Sequence, residues 1–379
     1  MNSIALRPPQ RFLMGPGPGP VAPSVLEAQA APTIGHLDPA FIELMDTLQG
    51  QLRDVFRTRN AFTMAFSSPA TAAMEACIVN VLEPGDRALV CINGVFGMRL
   101  AEMARRCGAE VDTLSFDWGR AVDPAKVAEQ LQSHKPYKLV AWVQAETSTG
   151  ALSDSQTLAK LTRDAGALSL VDTVTALAGV PLEVDAWGLD MVYSGTQKCL
   201  SAPPGLAPLT VSDRALEACR NRKTPVQSWF MDFSLLGGYW GGEQRRAYHH
   251  TAPVNNLYGL HEALRLVQDE GLEARWARHS RVSKLLADGL QRLNIEIVPP
   301  VAERLPPLTT LRIPEGVDDA AFRKWLLTTH SLEIGAGLGA LAGKAWRIGL
   351  MGHGCTEEAV QRVLGALEEG LSGSVAVAA

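Results

Sequence analysis

The chain has 379 residues, 46% of them hydrophobic and 20% charged, with a formal net charge of -5. That length allows a large core and two domains, and so mild a charge offers no electrostatic reason to bind nucleic acid or an anionic membrane. No apolar run approaches the roughly 18 residues that suggest a membrane span. The opening stretch MNSIALRPPQRF has no apolar region of the signal-peptide kind. The six cysteines are irregularly spaced without a C-x-x-C pair, which argues against a disulfide framework or a zinc site. A cytoplasmic protein without a structural metal is the expectation.

Met14-Gly15-Pro16-Gly17-Pro18-Gly19-Pro20 cannot be helix or central strand and predicts a stiff irregular loop. A helical apolar pattern follows over about 39–57. Short apolar runs then alternate with amphipathic segments. Strands are expected near 62–67, 87–92, 110–115, 138–143, 168–171, 190–193 and 207–211, and helices near 71–83, 96–107, 124–132 and 155–165. This alternation predicts an α/β domain with a mostly parallel seven-stranded sheet covered on both faces. From about 254 a nearly continuous helical pattern runs to 292. Strands near 294–298 and 308–313, a helix near 318–329 and a closing helix near 356–371 come after it. The expected organisation is an N-terminal segment (1–20), a large domain (21–255) and a smaller α+β domain (256–379). The tail SGSVAVAA is expected to fray.

Five short segments suggest chemistry. In Tyr193-Ser194-Gly195-Thr196-Gln197-Lys198 an apolar strand runs into small polar residues and a lysine, and Pro203-Pro204-Gly205 stops any long helix. Such a lysine can lose water, which lowers its pKa and makes it nucleophilic; it can also be an ordinary surface residue. Ser194 and Thr196 offer hydroxyls for a phosphate. Asp172 ends the buried run Leu170-Val171, where ligands sit in open α/β sheets; the competing reading is a helix cap. Ser67-Ser68-Pro69-Ala70-Thr71 leads into a helix, and is either an anion site or simple capping. Phe96, in Gly94-Val95-Phe96-Gly97, is either a stacking surface or a packing aromatic. Arg347, in Trp346-Arg347-Ile348-Gly349, is either a carboxylate clamp or a structural ion pair.

No segment decides the matter alone, but their order does. With Leu13–Pro18, Phe56–Asn60, Glu146-Thr147-Ser148-Thr149-Gly150, Val171–Val174, Ser194–Lys198, Ala202–Gly205, Tyr248-His249-His250-Thr251-Ala252-Pro253 and Trp346–Gly349, the chain resembles the class V aminotransferases of fold type I. Within them it is similar to the alanine–glyoxylate and serine–pyruvate group, from about residue 12 to residue 353. The resemblance implies pyridoxal 5'-phosphate as cofactor and transamination between a small amino acid and a 2-oxo acid. Lys198 matches the Schiff-base lysine and proton carrier, and Asp172 the partner of the pyridine nitrogen. Val174 matches a residue against the ring, Phe96 the stacking aromatic and Ser148 a hydroxyl near the ring's phenolic oxygen. Gln197, Ala70 and Thr71 match phosphate ligands. Tyr248 and Thr251 match residues reaching the neighbouring subunit's phosphate, which implies a homodimer with composite sites. Arg347, with Gly17, Ser148 and the loop around Gly35-His36, matches the substrate pocket.

The phosphate turn departs from the family pattern: Pro69 has no N–H to donate, so the grip is expected to lean on Ala70 and Thr71. Ureidoglycine is a further amino donor used in this group. A cysteine desulfurase is disfavoured, because no cysteine lies between Cys219 and Cys355. Gly339–Ala345 lacks the spacing and the Ser/Thr of a P-loop. A dead homologue would be expected to lose Lys198 or Asp172.

Overall fold

The computed structural model describes residues 7–133, 136–240 and 246–372, so the C-terminal tail lies outside it from residue 373 on. Seven strands form the main sheet: β1 (Phe62–Phe66), β2 (Arg87–Ile92), β3 (Glu110–Ser115), β4 (Leu139–Val143), β5 (Leu168–Asp172), β6 (Met191–Tyr193) and β7 (Ala207–Val211). Their order is β1-β7-β6-β5-β4-β2-β3. Only β7 runs against its neighbours. Every residue of β1, β4, β5, β6 and β7 is buried, which is why these runs are continuously apolar rather than alternating. The edge strand β3 has no buried residue, is exposed at Glu110, Thr113 and Ser115, and carries Glu110 and Asp112; edge charges of this kind oppose sheet-to-sheet association. Helices Ala70–Val81, Val95–Arg106, Pro124–Ser133 and Ser155–Asp164 fill the expected places.

This topology has one consequence for chemistry. Strands β1, β2, β4, β5 and β6 all point the same way, so the segments beginning at Ser67, Asn93, Gln144, Thr173 and Ser194 leave the sheet along one edge. Open α/β sheets collect ligands at that edge.

The helical stretch after residue 254 is two helices, Val254–Glu270 and Leu272–Arg292. Gly271 between them has φ +81°, a conformation that breaks the helix and that glycine adopts without strain. Leu257, Leu260, Leu264 and Val267 pack in the large core. The second core begins with Val282, Leu286 and Leu290 and includes Met14. Drawn by packing, the division falls between residues 272 and 282 rather than near 255. The N-terminal segment also belongs with the small unit, because Phe12–Leu13 pairs with Leu332–Glu333.

In the small unit β8 (Leu308–Arg312), β9 (Gly335–Ala336) and β10 (Ala345–Gly349) make an antiparallel sheet with β10 central. The strand expected at 294–298 does not form; Ile297 makes only an isolated bridge to Leu311. Helices Pro23–Gln29, Asp213–Arg220 and Phe233–Trp240 were not anticipated. The first is short, and the last, FSLLGGYW, contains two glycines and no apolar period.

Trp346 anchors β10. It is fully buried, stacks on Phe322 with centroids 4.7 Å apart, and donates its indole N–H to Asp319 Oδ1 at 2.8 Å. Trp346→Ala removes a large buried side chain and orphans part of that carboxylate. The expected cost is about 3–5 kcal/mol, read as a lower denaturant midpoint in an unfolding titration.

Candidate active site

The loop after β6 is stiffened by its own hydroxyls. Ser194 Oγ donates to the Thr173 carbonyl at 3.1 Å, and Thr196 Oγ1 donates to the Pro203 carbonyl at 2.6 Å. Both hydroxyls are buried and committed to backbone. They hold the loop, which corrects the expectation that they bind phosphate. Lys198 is thereby held at 8% exposure, with Nζ donating to the Pro16 carbonyl. Gly17 packs against it with φ +110°, and a Cβ there would lie 2.7 Å from Lys198 Cδ. Only glycine fits both the angle and the space. Burial, and then the charge of Arg347, pull the Lys198 amine down to about 8.

Asp172, at the end of β5, is 2% exposed. Its Oδ2 accepts from Tyr193 Oη at 2.7 Å and its Oδ1 from the Val174 amide at 2.9 Å. No helix directly follows Asp172, so it is not a helix cap; one oxygen instead accepts within the turn that begins at Thr173. Burial pushes the Asp172 carboxyl up, while Tyr193, the Val174 amide and the charges of Arg99 and Lys198 pull it back.

Past β4, Glu146 is fully buried. Its Oε1 accepts from the Ser148 amide at 3.0 Å and the Ser148 hydroxyl at 2.5 Å. Its Oε2 accepts from the Phe96 and Gly97 amides at 3.2 and 3.4 Å. Burial lifts Glu146 to about 7. From the small unit Arg347, 6% exposed, donates Nε to the Ala336 carbonyl at 2.8 Å and Nη1 to the Thr147 carbonyl at 3.1 Å. Its Nη2 makes no hydrogen bond among the described residues. Burial lowers Arg347 to about 10, against the opposing charge of Glu146. It is therefore not locked in a structural ion pair.

At the third wall the Pro69 ring precedes helix Ala70–Val81, which has no side-chain cap. The Ala70 and Thr71 amides carry no hydrogen bond among the described residues, as the first turn of a helix requires. Arg99 Nη1 donates to Thr71 Oγ1 at 2.9 Å, and the same guanidinium lies 4.9 Å from the centre of the half-buried Phe96 ring. A Cβ at Gly195 would lie 3.3 Å from Ala70 Cβ, so the helix start and the lysine loop touch. Gln197, on that loop, leaves its amide unpaired among the described residues, and its carbonyl accepts from the Gly19 amide at 2.8 Å. Val174 is partly buried beside Asp172.

Lys198, Asp172, Arg347, Ser148, Phe96, Ala70, Thr71, Gln197, Val174 and Gly17 thus come together around one edge of the sheet. Tyr248 and Thr251 do not join them within the chain: both are exposed, bonded to each other at 3.2 Å, with the His36 ring 5.3 Å from that of Tyr248. Gly35 is exposed on that same outer face. Three residues not anticipated in a site role take part. Glu146 is a carboxylate in the small polar stretch after an apolar run, Tyr193 looks apolar in its strand, and Arg99 is a helix arginine with no distinguishing motif.

The donor set can be tested against a phosphorylated pyridine aldehyde. The phosphate needs free N–H groups and a cation, supplied by Ala70, Thr71 and Arg99. The aldehyde needs a dry amine, the ring nitrogen a buried carboxylate and the ring face an aromatic, and Lys198, Asp172 and Phe96 supply these. The residues present fit pyridoxal phosphate.

The family model of the class-V aminotransferases matches residues 25–363. The alanine–glyoxylate aminotransferase of Felis catus is 39% identical over 371 residues, covering 97% of this chain and 89% of the relative. The (S)-ureidoglycine–glyoxylate transaminase of Bacillus subtilis is 37% identical over 378 residues, covering 95% and 90%. The crystal structure of an alanine–glyoxylate aminotransferase from Nostoc sp. superposes with a TM-score of 0.95 at 47% identity, covering 98% of each chain. The chain belongs to the class-V aminotransferases, and its reaction is transamination on pyridoxal phosphate.

Proposed function

We propose that the enzyme transfers the amino group of a small amino acid, alanine or serine, to glyoxylate or pyruvate. The observation that carries this reading is the buried pair Lys198 and Arg347: an amine below its usual pKa and a guanidinium with one nitrogen unbonded among the described residues. That pair suits a substrate with a carboxylate next to its reacting carbon. Glyoxylate appears in the names of both sequence relatives above, which supports it as acceptor. The Bacillus subtilis relative favours ureidoglycine as the alternative donor.

In this reading Lys198 would hold the aldehyde of pyridoxal phosphate and Asp172 would pair with its ring nitrogen. Phe96 and Val174 would pack on the ring, and Ser148 would serve the phenolic oxygen. Ala70, Thr71 and Gln197 would take the phosphate. The cofactor, once bound, draws electrons from the substrate's alpha carbon, so that the C–H bond there breaks heterolytically. Lys198 Nζ would take the proton from that carbon; at about 8 the free amine is neutral often enough to do so. Arg347 holds the alpha-carboxylate and fixes which bond faces the lysine. Gly17 keeps the lysine's path open and the neighbouring pocket small.

The homodimer is proposed on the same grounds. Leu37, Trp229 and Tyr248 are 63%, 61% and 61% exposed, an apolar surface that a partner would cover. Tyr248 and Thr251 then serve the neighbour's phosphate. The free thiols, four of them buried, accord with a reducing, cytoplasmic location.

Lys198→Ala is expected to abolish turnover and the visible absorbance of the protein. In the wild type, the rate at which the apoenzyme captures pyridoxal phosphate should rise with pH and level off above about 8, because only the neutral amine reacts. A rise continuing toward the ordinary lysine range would show that the amine is not desolvated. Arg347→Ala is expected to cost about 2–5 kcal/mol of acid binding, seen as a large increase in KM for the 2-oxo acid; an unchanged KM for every acid removes its role. Mixing Lys198→Ala chains with Tyr248→Ala chains should recover activity above either parent, since one site of the mixed dimer is intact. No recovery in a verified mixed dimer argues against composite sites.

A further inference from the structure

We infer that Glu146 is a positioning residue, a buried clamp that ties the Phe96 wall of the site to the Ser148 wall and fixes the direction of the Ser148 hydroxyl. The inference rests on the proposed reading of Phe96 and Ser148 as cofactor contacts and explains what holds them there. Four donors converge on this one carboxyl group, two on each oxygen. Two come from the first turn of helix Val95–Arg106 and two from Ser148, on segments that follow different strands. A carboxylate offers about four lone-pair sites and matches this set; an amide has a single oxygen and would turn its NH2 toward two donors whichever way it was flipped. The charge also sits at a helix N-terminus, where a negative group is favoured.

The Ser148 hydroxyl has one proton, and at 2.5 Å it is given to Glu146. Its oxygen accepts from the Val95 amide at 3.0 Å. Ser148 Oγ is therefore an oriented acceptor with one lone pair left, rather than a free rotor. Space at the clamp is equally committed. A Cβ on Gly94 would collide with both Ser148 Oγ and Glu146 Cγ and Cδ. Gly94 has φ 173°, an extended conformation open to any residue, so its lack of a side chain answers to the clamp and not to the backbone.

The test measures pyridoxal phosphate dissociation from the purified holoenzyme and the visible circular dichroism of the bound chromophore per mole of cofactor. Glu146→Gln should release pyridoxal phosphate about tenfold more readily, the loss expected when a buried donor loses its acceptor, with a weakened dichroism band. Glu146→Gln/Ser148→Ala should be little worse than Glu146→Gln alone, because the two act as one unit. Gly94→Ala should reproduce both effects while keeping the carboxylate, and it carries the test if Glu146→Gln does not fold. A merely structural glutamate would lower the unfolding temperature and leave the dichroism per bound cofactor unchanged; that result, or additive losses in the double variant, overturns the clamp. If Ser148→Ala and Phe96→Ala themselves leave affinity and dichroism at wild-type values, the reading of the site fails, and the clamp fails with it. If those two matter but Glu146→Gln and Gly94→Ala do not, the clamp alone is wrong.

Discussion

Four ionisable groups are packed out of water at one edge of the sheet: Lys198 and Arg347 at 8% and 6% exposure, Asp172 and Glu146 at 2% and 0%. Burial drives all four toward their neutral forms, lowering the two bases and raising the two acids. Opposite charges in the same set pull three of them back in part, Lys198 by Asp172, Asp172 by Lys198 and Arg347 by Glu146, while hydrogen bonds from Ser148 and Gly97 pull back Glu146. The site is held in this balance. An amine near neutrality is reactive toward a carbonyl, and a guanidinium that stays charged with no salt bridge among the described residues can hold an acid.

Keeping these groups dry requires three parts of the chain to close on one another. The N-terminal segment lays the Pro16 carbonyl and the bare Cα of Gly17 on Lys198. It is tied to the small unit where the Gly349 amide donates to the Met14 carbonyl at 2.8 Å. Gly349 sits so close to Gly15 that a Cβ would strike the Gly15 carbonyl, so the N-terminal segment packs directly on strand β10, which carries Arg347. Behind the lysine, Arg275 donates to the Cys199 carbonyl at 2.6 Å and pairs with Glu270, while His279 accepts from the Gly352 amide at 3.0 Å. Burial keeps His279 neutral, at about 3, which leaves its ring nitrogen free to accept. These contacts brace the loop after Lys198 and the loop after Arg347 from a single helix.

Much of this was legible before any coordinates. The seven strands of the main sheet fall within a residue or two of their expected positions, because strands buried on both faces leave continuous apolar runs. Asp172 and Lys198 are identifiable as charged residues at or after the ends of such runs, and Arg347 as a charge inside a short apolar strand of the small unit. What escaped has a common character. The 294–298 run has strand composition but meets its neighbour only at the isolated Ile297–Leu311 bridge. Helix Phe233–Trp240 has no apolar period, and the break at Gly271 lies inside an otherwise unbroken helical pattern. Ser194 and Thr196 looked like phosphate ligands because a hydroxyl's direction is set by neighbours distant in sequence.

The sequence by itself determined the alternation of strands and helices, the class of enzyme, and which polar residues stand at strand ends, since each depends on local pattern or on a short motif. Only the tertiary structure decided how the Lys198 amine is desolvated, that Arg347 spends Nε and Nη1 on the Ala336 and Thr147 carbonyls, and that Glu146 gathers donors from two segments. Burial and hydrogen-bond direction are properties of what surrounds a group. For Lys198 those surroundings come from Pro16, Gly17 and Arg347, at opposite ends of the chain. The strand-end lysine was recognisable as a residue, and its chemistry was settled by the fold.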